Sequence, residues 1–307
     1  MKNIDRRNFL KSSLIAGVGL AVLPSLAKGA TKLSGSSLPD IASIAGTNHF
    51  QSTIDAIEAI GGINKFIPRG SKVGLLINAP GWWTKPGSYT HTNIVLATLK
   101  LLNDAGISDI CYLIDPAAEF FSRSPLSEKY TSLISSIKKC SGNYVEVNIP
   151  NAVKVKKAKV IKELLQVDKL INIPINKHHS GVLYTGCMKN MMGACSGDTN
   201  KSFHQSISKD VEDVEHLSQC IVDINHIRKQ DLCITDATEV LKTNGPFGPG
   251  EIAKINKVFA GSSPVAMDAY GCTLLDYRPQ DIRTNVLASE QGFGNYDLKK
   301  YSIFEKE

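Results

Sequence analysis

Apolar and polar positions recur along the chain with two different periods, and the switches between them mark the elements. In STIDAIEAIGG (52–62), Ile54, Ile57, Ala59 and Ile60 fall at helical spacing, and Gly61-Gly62 ends the run. KVGLLINAP (72–80) is a short apolar run that predicts a buried strand. HTNIVLATLKLLNDAG (91–106) returns to the helical period through Ile94, Leu96, Ala97, Leu99, Leu101 and Leu102, with Gly106 as its stop. DICYLID (109–115) is the next strand.

The alternation continues with a helix near 125–140, strand YVEVNI (144–149), a lysine-rich extended piece at 153–160 and strand KLINIPI (169–175). Helical segments near 182–193 and 209–229 precede strand DLCITDA (231–237). Strand KVFAG (257–261) then runs into a helix at 264–276, with Pro264 suited to its first turn, and a last helix lies near 279–291. Strand–helix–strand spacing of this kind predicts a parallel sheet joined by right-handed crossovers. The fold class is therefore α/β: a mainly parallel sheet flanked by helices, with two α/β lobes as an alternative.

The first thirty residues stand apart from this pattern. A basic start, an apolar stretch from Leu14 to Leu23 and a run of small residues form the three regions of a cleavable export signal. The apolar stretch is too short to cross a ~30 Å hydrocarbon core as a helix. Arg6-Arg7 followed by Asn8-Phe9-Leu10-Lys11 resembles the twin-arginine signature, with Asp5 where Ser or Thr is commonest. Residues 1–27 are read as that signal, cut after Ala27, and residues 28–50, rich in Ser, Gly, Ala and Thr, as a flexible arm before an α/β domain over 51–300. The resemblance implies export of the folded chain by the twin-arginine translocon, to the periplasm in a Gram-negative source, with no permanent membrane anchor after cleavage.

Charge and cysteines narrow the partners. Loss of the signal lowers the net charge from +6 to +3, which gives no argument for nucleic acid. The seven cysteines are odd in number and contain no CxxC, against a zinc ribbon, a thioredoxin-like site and an iron–sulfur cluster. Cys111, Cys220, Cys233 and Cys272 sit in apolar runs and read as small core residues.

The chemistry concentrates in NIPINKHHSGVLYTGCMKNMMGACSGD (172–198). In an open parallel sheet the ligand crevice lies beyond the carboxyl ends of the strands. Lys177 and His178 follow one strand, Asn78 follows another and Asp236 ends a third, so groups distant in sequence can converge. Lys177 and Lys189 would hold a carboxylate or phosphate, Asn190 would supply a neutral donor, and one lysine of a close pair could serve as base. His178 would carry a proton near neutral pH. The competing reading is that such groups tie loops to the sheet by hydrogen bonds.

A metal site is the other alternative. His178, His179, His204, Cys187 and Cys195 are its candidate ligands, with Met188, Met191 and Met192 suited to a soft metal. The spacing Cys187-x7-Cys195 is not diagnostic, and methionines at helical spacing usually pack a core. No metal is assigned, His179, Cys187 and Cys195 are the weak candidates, and the cofactor stays open. GPFGPGE (245–251) reads as a turn, VKVKKAKVIK (153–162) as a solvated edge strand, and Trp82 and Trp83 as residues that overhang the crevice or pack a loop. No G-x-S-x-G elbow appears.

The ordered motifs IEAIGGINKFIPRGSKVGLLIN, LINIPINKHHSGVLYTGCMKNMMG, IVDINHIRKQDLCITDATE, NGPFGPG, VFAGSSPVAMDAYGCTLLD and QGFGNYDL together resemble the bacterial and archaeal family known as domain of unknown function 362. The resemblance runs from about residue 45 to 300 and implies an α/β fold. Some members are fused to a ferredoxin module, which implies a redox partner as an alternative, although this chain lacks that module's cysteines. The resemblance carries functional positions onto Lys177 with His178 or His179, Lys189-Asn190, Asp223, Asp236 and Asp268. Many members have Lys-Pro-Asn where this chain has Leu76-Ile77-Asn78. The expectation is an exported enzyme with Lys177, His178, Lys189 and Asp236 as catalytic candidates and Asn78, Asn190, Asp223 and Asp268 as binding candidates for a small anionic molecule. The alternatives are a cofactor-dependent oxidoreductase or electron-transfer accessory, and a non-catalytic metal or ligand binder.

Overall fold

A computed structural model describes residues 37–79, 85–208 and 211–307, with only the backbone of 206–208, 211 and 212. The segment expected to be an export signal, the first part of the expected arm, Trp82 and Trp83 lie outside these residues. The chain runs β1 (Ile41–Ala45), α1 (His49–Ala59), α2 (Ile63–Phe66), β2 (Val73–Ile77), α3 (Thr92–Asp104), β3 (Ile110–Tyr112), α4 (Thr131–Ser136), β4 (Tyr144–Asn148), β5 (Lys157–Ile161) and β6 (Lys169–Ile173). It continues with β7 (Lys177–His179), β8 (Leu183–Thr185), α5 (Cys187–Asn190), α6 (Gly197–Phe203), β9 (Ser206–Ser208), β10 (Val211–Glu212), α7 (Val214–Asn225), β11 (Leu232–Leu241), β12 (Ile252–Gly261), α8 (Pro264–Thr273), α9 (Arg283–Glu290) and β13 (Ile303–Lys306).

Seven strands form one sheet in the order β13-β1-β12-β11-β6-β2-β3. β6 lies parallel to β2 and β11, β2 to β3 and β1 to β13, while β12 runs antiparallel to both of its neighbours. Alternate side chains enter opposite layers, as the period of two demands. Leu75, Ile77, Ile171, Ile173, Ile234, Val258 and Ala260 meet α1 and α3 through Ala56, Ile57, Val95 and Leu99. Leu76 and Leu170 face the other way, toward α5 and α7, with Met188, Met191, Leu217 and Ile221. The fold is thus an α/β sandwich on a mixed, mostly parallel sheet. Leu38–Glu307 forms one compact unit rather than two lobes.

Two boundaries are corrected. The expected arm does not extend to residue 50: IASIA forms β1 inside the sheet, and Asn48 caps α1 by accepting from the Gln51 amide. Alanine and serine gave that strand no contrast with the small residues before it, and its pairing partners lie more than 200 residues away in sequence. The helix expected over 182–193 is instead the second strand of a tight β7–β8 hairpin followed by short helical turns. The lysine-rich piece does form an edge: β5 pairs with β4 in a small separate sheet, with Lys157 and Lys159 pointing to solvent. GPFGPGE is the turn between β11 and β12. Among the described residues no helix is long and apolar enough to cross a membrane.

Candidate functional site

The carboxyl ends of β2 and β6 open onto a cavity of about 510 Å³. Asn78 enters it directly after β2, and the chain leaving β6 turns through Pro174 and Asn176 to bring Lys177 to its wall. Lys189 and Asn190 come from α5, His179 and Thr185 from the β7–β8 hairpin, Asn200 from α6, and Pro246 and Phe247 from the β11–β12 turn. That turn fits closely against the hairpin. A Cβ on Gly245 would lie 1.8 Å from the His178 carbonyl oxygen, so only glycine can stand there.

Lys177 is fully buried. Its Nζ donates to the carbonyls of Ser88 (2.7 Å) and Pro246 (3.2 Å). Burial, reinforced by the neighbouring Lys189 charge, pushes its ammonium well below the usual lysine range. Lys189 is half-buried on the same wall, with Nζ 3.5 Å from the Met192 sulfur. The two lysines predicted as a pair therefore meet at one cavity.

The histidine of the cavity is His179, not His178. In a β-strand successive side chains point to opposite faces, so only one of two adjacent histidines can share the face of the cavity. His178 instead accepts from the Gly245 amide through Nδ1 at 2.9 Å and so holds the turn. His179 accepts from the Gly181 amide through Nδ1 at 3.0 Å, which leaves its ring proton on Nε2. Burial first, and then the charges of Lys189, His204, Lys177 and His178, hold this imidazole far below its ordinary range. His179 is thus a neutral donor. His204 stacks on it with ring centroids 6.1 Å apart.

The asparagines belong to a continuous chain of amides. Asn78 Nδ2 donates to Asn190 Oδ1 (3.0 Å), Asn190 Nδ2 to Asn172 Oδ1 (2.6 Å), and Asn172 Nδ2 to Gln230 Oε1 (2.7 Å). Gln230 Nε2 then donates to Asn225 Oδ1 (2.7 Å), whose own Nδ2 ends on the carbonyls of Met188 and Ile221. Backbone carbonyls only accept, so they fix the sense of every amide in the chain. At the Asn78 end of the chain, Asn78 Oδ1 is buried with no hydrogen-bond partner among the described residues. Thr185 and Asn200 also line the cavity, and Thr185 Oγ1 and Asn200 Oδ1 are likewise buried with no partner among the described residues.

The three aspartates carried over by resemblance do not line this cavity. Asp223 on α7 accepts from the amides of Val153, Lys154 and Val155 and from Gln219 Nε2. Asp236 on β11 accepts from the amides of His91 (2.6 Å) and Thr238 (2.8 Å). Burial raises its carboxyl above the usual range against the pull of those bonds. Asp268 on α8 accepts from Cys187 (2.5 Å) and Met188 (2.9 Å), and burial lifts it to about 7. It sets the first turn of α5, and a Cβ on Gly186 would come within 2.3 Å of its Oδ1. These carboxylates are structural anchors, which the loop-tying reading describes and a binding role does not.

The metal candidates also part company. Cys187 is buried with Sγ 3.4 Å from Thr235 Oγ1, and burial pushes its thiol up. Cys195 is packed in the α5–α7 core layer, and burial pushes it up to about 12. Met188, Met191 and Met192 fill that same layer. Among the described residues no group of three or more histidine, cysteine or acidic side chains could hold a metal ion.

A model of the family described as domain of unknown function 362 matches residues 73–273. The chain belongs to that family. The match spans every cavity residue named above, so this cavity is a feature of the family's own segment of the chain. Thylakoid-associated protein sll1697 of Synechocystis sp. is 24% identical over 247 residues, covering 78% of this chain and 73% of the relative. Among solved structures, the lactate racemase apoprotein from Thermoanaerobacterium thermosaccharolyticum aligns with a TM-score of 0.47 at 15% identity. That alignment covers 76% of this chain, which spans just over half (56%) of the racemase chain.

Sequence reasoning missed Thr185, Asn200, Asn172 and the part played by Pro246 and Phe247. Only Asn172 announced itself, as a lone amide inside the apolar strand KLINIPI. The others depend on a hairpin and a turn whose docking no local pattern encodes.

Proposed function

We propose that this family member binds a small organic anion in the cavity and acts on it as an enzyme by moving a proton. The observation that supports this is the meeting of Lys177, Lys189 and a neutral His179 at one 510 Å³ cavity. A carboxylate entering there meets both lysine amines on one wall, and its charge raises the affinity of Lys177 for a proton. Lys177, its ammonium depressed by burial and held beside the bound anion, is the group that exchanges a proton with the reacting atom. His179 Nε2–H is a donor to the developing negative charge.

The test is a thermal-shift series with carboxylates on wild type, Lys177→Met and Lys189→Met. Stabilisation by carboxylates in the wild type alone is the expected result. Equal shifts in all three proteins would remove the lysines from binding and overturn the reading. We also propose export through the twin-arginine route, to the periplasmic side in a Gram-negative source, on the strength of Arg6-Arg7 and Phe9-Leu10-Lys11. Replacing both arginines by lysine should leave precursor in the cytoplasm, and unchanged secretion would end that assignment.

A further inference from the structure

The lysines of the cavity account for one end of a ligand, and the rest of its wall describes the other. Ala79, Ile114, Met192, Pro246 and Phe247 line the same volume, and most of the wall's accessible surface is carbon. The amides beside them are spent inside the protein. Asn78 Nδ2 donates to Asn190, Asn190 Nδ2 to Asn172 and the Leu76 carbonyl, and Asn200 Nδ2 to the Met192 carbonyl. Asn78 Oδ1, Asn200 Oδ1 and Thr185 Oγ1 are themselves buried, so these side chains offer a ligand little polar surface. Phe247, by contrast, is 52% exposed. Covering apolar surface of that kind is favourable.

Charge and size narrow the choice. Among the described residues no aspartate or glutamate lines the cavity, so no acidic side chain of the wall repels an anion at Lys177 and Lys189. A second carboxylate on the same molecule would have to leave water for the apolar part of the wall, which is costly for a charge without a partner. The cavity of about 510 Å³ lies within the ~300–1,000 Å³ usual for small-molecule sites and is far larger than one carboxylate group. The space that remains is lined in part by Met192, whose flexible thioether adapts to chains and rings of varied shape.

We propose that the ligand is an amphipathic monocarboxylic acid, its carboxylate toward Lys177 and Lys189 and its hydrocarbon body against Ile114, Met192 and Phe247. This names the substrate class for the anion-binding reading and rests on it. Affinity then has two separable sources: the lysines select the charged end, and each methylene buried against the apolar wall tightens binding.

The experiment is titration calorimetry on the purified protein with acetate, hexanoate and adipate, the dicarboxylate of hexanoate's length. Hexanoate is expected to bind about ten-fold tighter or better than acetate, through its extra methylenes, and by a similar factor tighter than adipate. Phe247→Ser should weaken hexanoate several-fold and leave acetate within about two-fold of the wild type. Should acetate or adipate match hexanoate in the wild type, the apolar body is wrong while the lysine wall stands. Should hexanoate bind Lys189→Met and Lys177→Met as tightly as the wild type, the lysine wall falls and the proposal with it, even if the advantage over acetate persists. Should none of the three bind, both readings fall together. Equal losses for acetate and hexanoate in Phe247→Ser would overturn the placing of the chain against that residue. The wild-type series is decisive even where a variant does not fold.

Discussion

Two polar regions of this molecule use similar side chains to opposite ends. Around Asp223, Asp236 and Asp268, carboxylates are buried and satisfied by backbone amides of the segments they hold. Around the cavity, two lysines, one of them fully buried, share one wall with a neutral histidine. A satisfied polar group lowers the energy of one conformation. A buried amine whose charged form is disfavoured by its setting raises the energy of the empty protein and is relieved by an anion that enters. The contrast separates structural from ligand-binding residues within a single set of motifs, where residue type alone does not.

The largest effect that would sharpen this contrast is expected at Asp223. Asp223→Ala strands three backbone amides and Gln219 in a buried setting. Loss of about 3–5 kcal/mol is the expectation from such a network, read by urea unfolding. Ligand affinity in the fraction that stays folded should be unchanged. A binding defect without a stability defect would reverse the assignment and put this carboxylate in the site.

Next come the lysines. Lys189→Met should cut carboxylate affinity by about ten-fold or more, roughly 1.4 kcal/mol or above, with little change in unfolding free energy. The Lys177 effect carries a proton signature. Its ammonium is depressed in the empty protein, and an anion raises it again, so binding takes up protons. Affinity should then fall as pH rises from the depressed value toward the ordinary lysine range. Calorimetric enthalpies that do not vary with buffer ionisation enthalpy would show that Lys177 stays in one protonation state.

Much of this architecture was legible in the chain. The patterns of HTNIVLATLKLLNDAG and KVGLLINAP mark α3 and β2 to within three residues at each end, because local hydrophobic patterning decides those elements. β1 was not legible, since IASIA becomes a strand only through partners at 257–261 and 303–306. In the site, Lys177 and Asn78 reach the cavity from positions just after strands, and Lys189 and Asn190 reach it from α5. The aspartates did not join them, because a buried carboxylate beside exposed backbone amides is captured locally and its motif looks the same in either role. Thr185 and Asn200 could not be found from sequence, as they reach the cavity only through the placing of the β7–β8 hairpin and α6.

A smaller effect, and one with a sign, is expected at Asp268. Burial lifts its carboxyl to about 7, well above an unfolded aspartate near ~3.9. Between those values the folded state holds more protons than the unfolded state, so this group's contribution to stability declines as pH rises from about 4 to about 7. Asparagine does not titrate and accepts well through only one oxygen. Asp268→Asn should therefore cost about 1–2 kcal/mol at pH 5 and less at pH 8. A penalty that grows with pH would mean that the carboxylate form is the one the Cys187 and Met188 amides favour.

The smallest effect lies between two adjacent histidines, and it is the most direct probe of where the cavity ends. His178 and His179 carry the same ring, and a strand turns them to opposite sides. His178→Ala removes the acceptor of the Gly245 amide, and His179→Ala removes that of the Gly181 amide. Each loss should cost about 1 kcal/mol or less of stability, so unfolding will hardly tell the variants apart. Ligand binding should, because His179 lines the cavity and His178 does not. His179→Ala is expected to weaken carboxylate binding several-fold, and His178→Ala to change it by less than about two-fold, the scale of a small shift in the 245–250 turn. If the two variants bind alike, either the ring of His179 has no part in recognition or the turn transmits the His178 loss to Pro246 and Phe247. His178→Gln separates those outcomes, since its amide oxygen can still accept from Gly245 and would restore binding only in the second case.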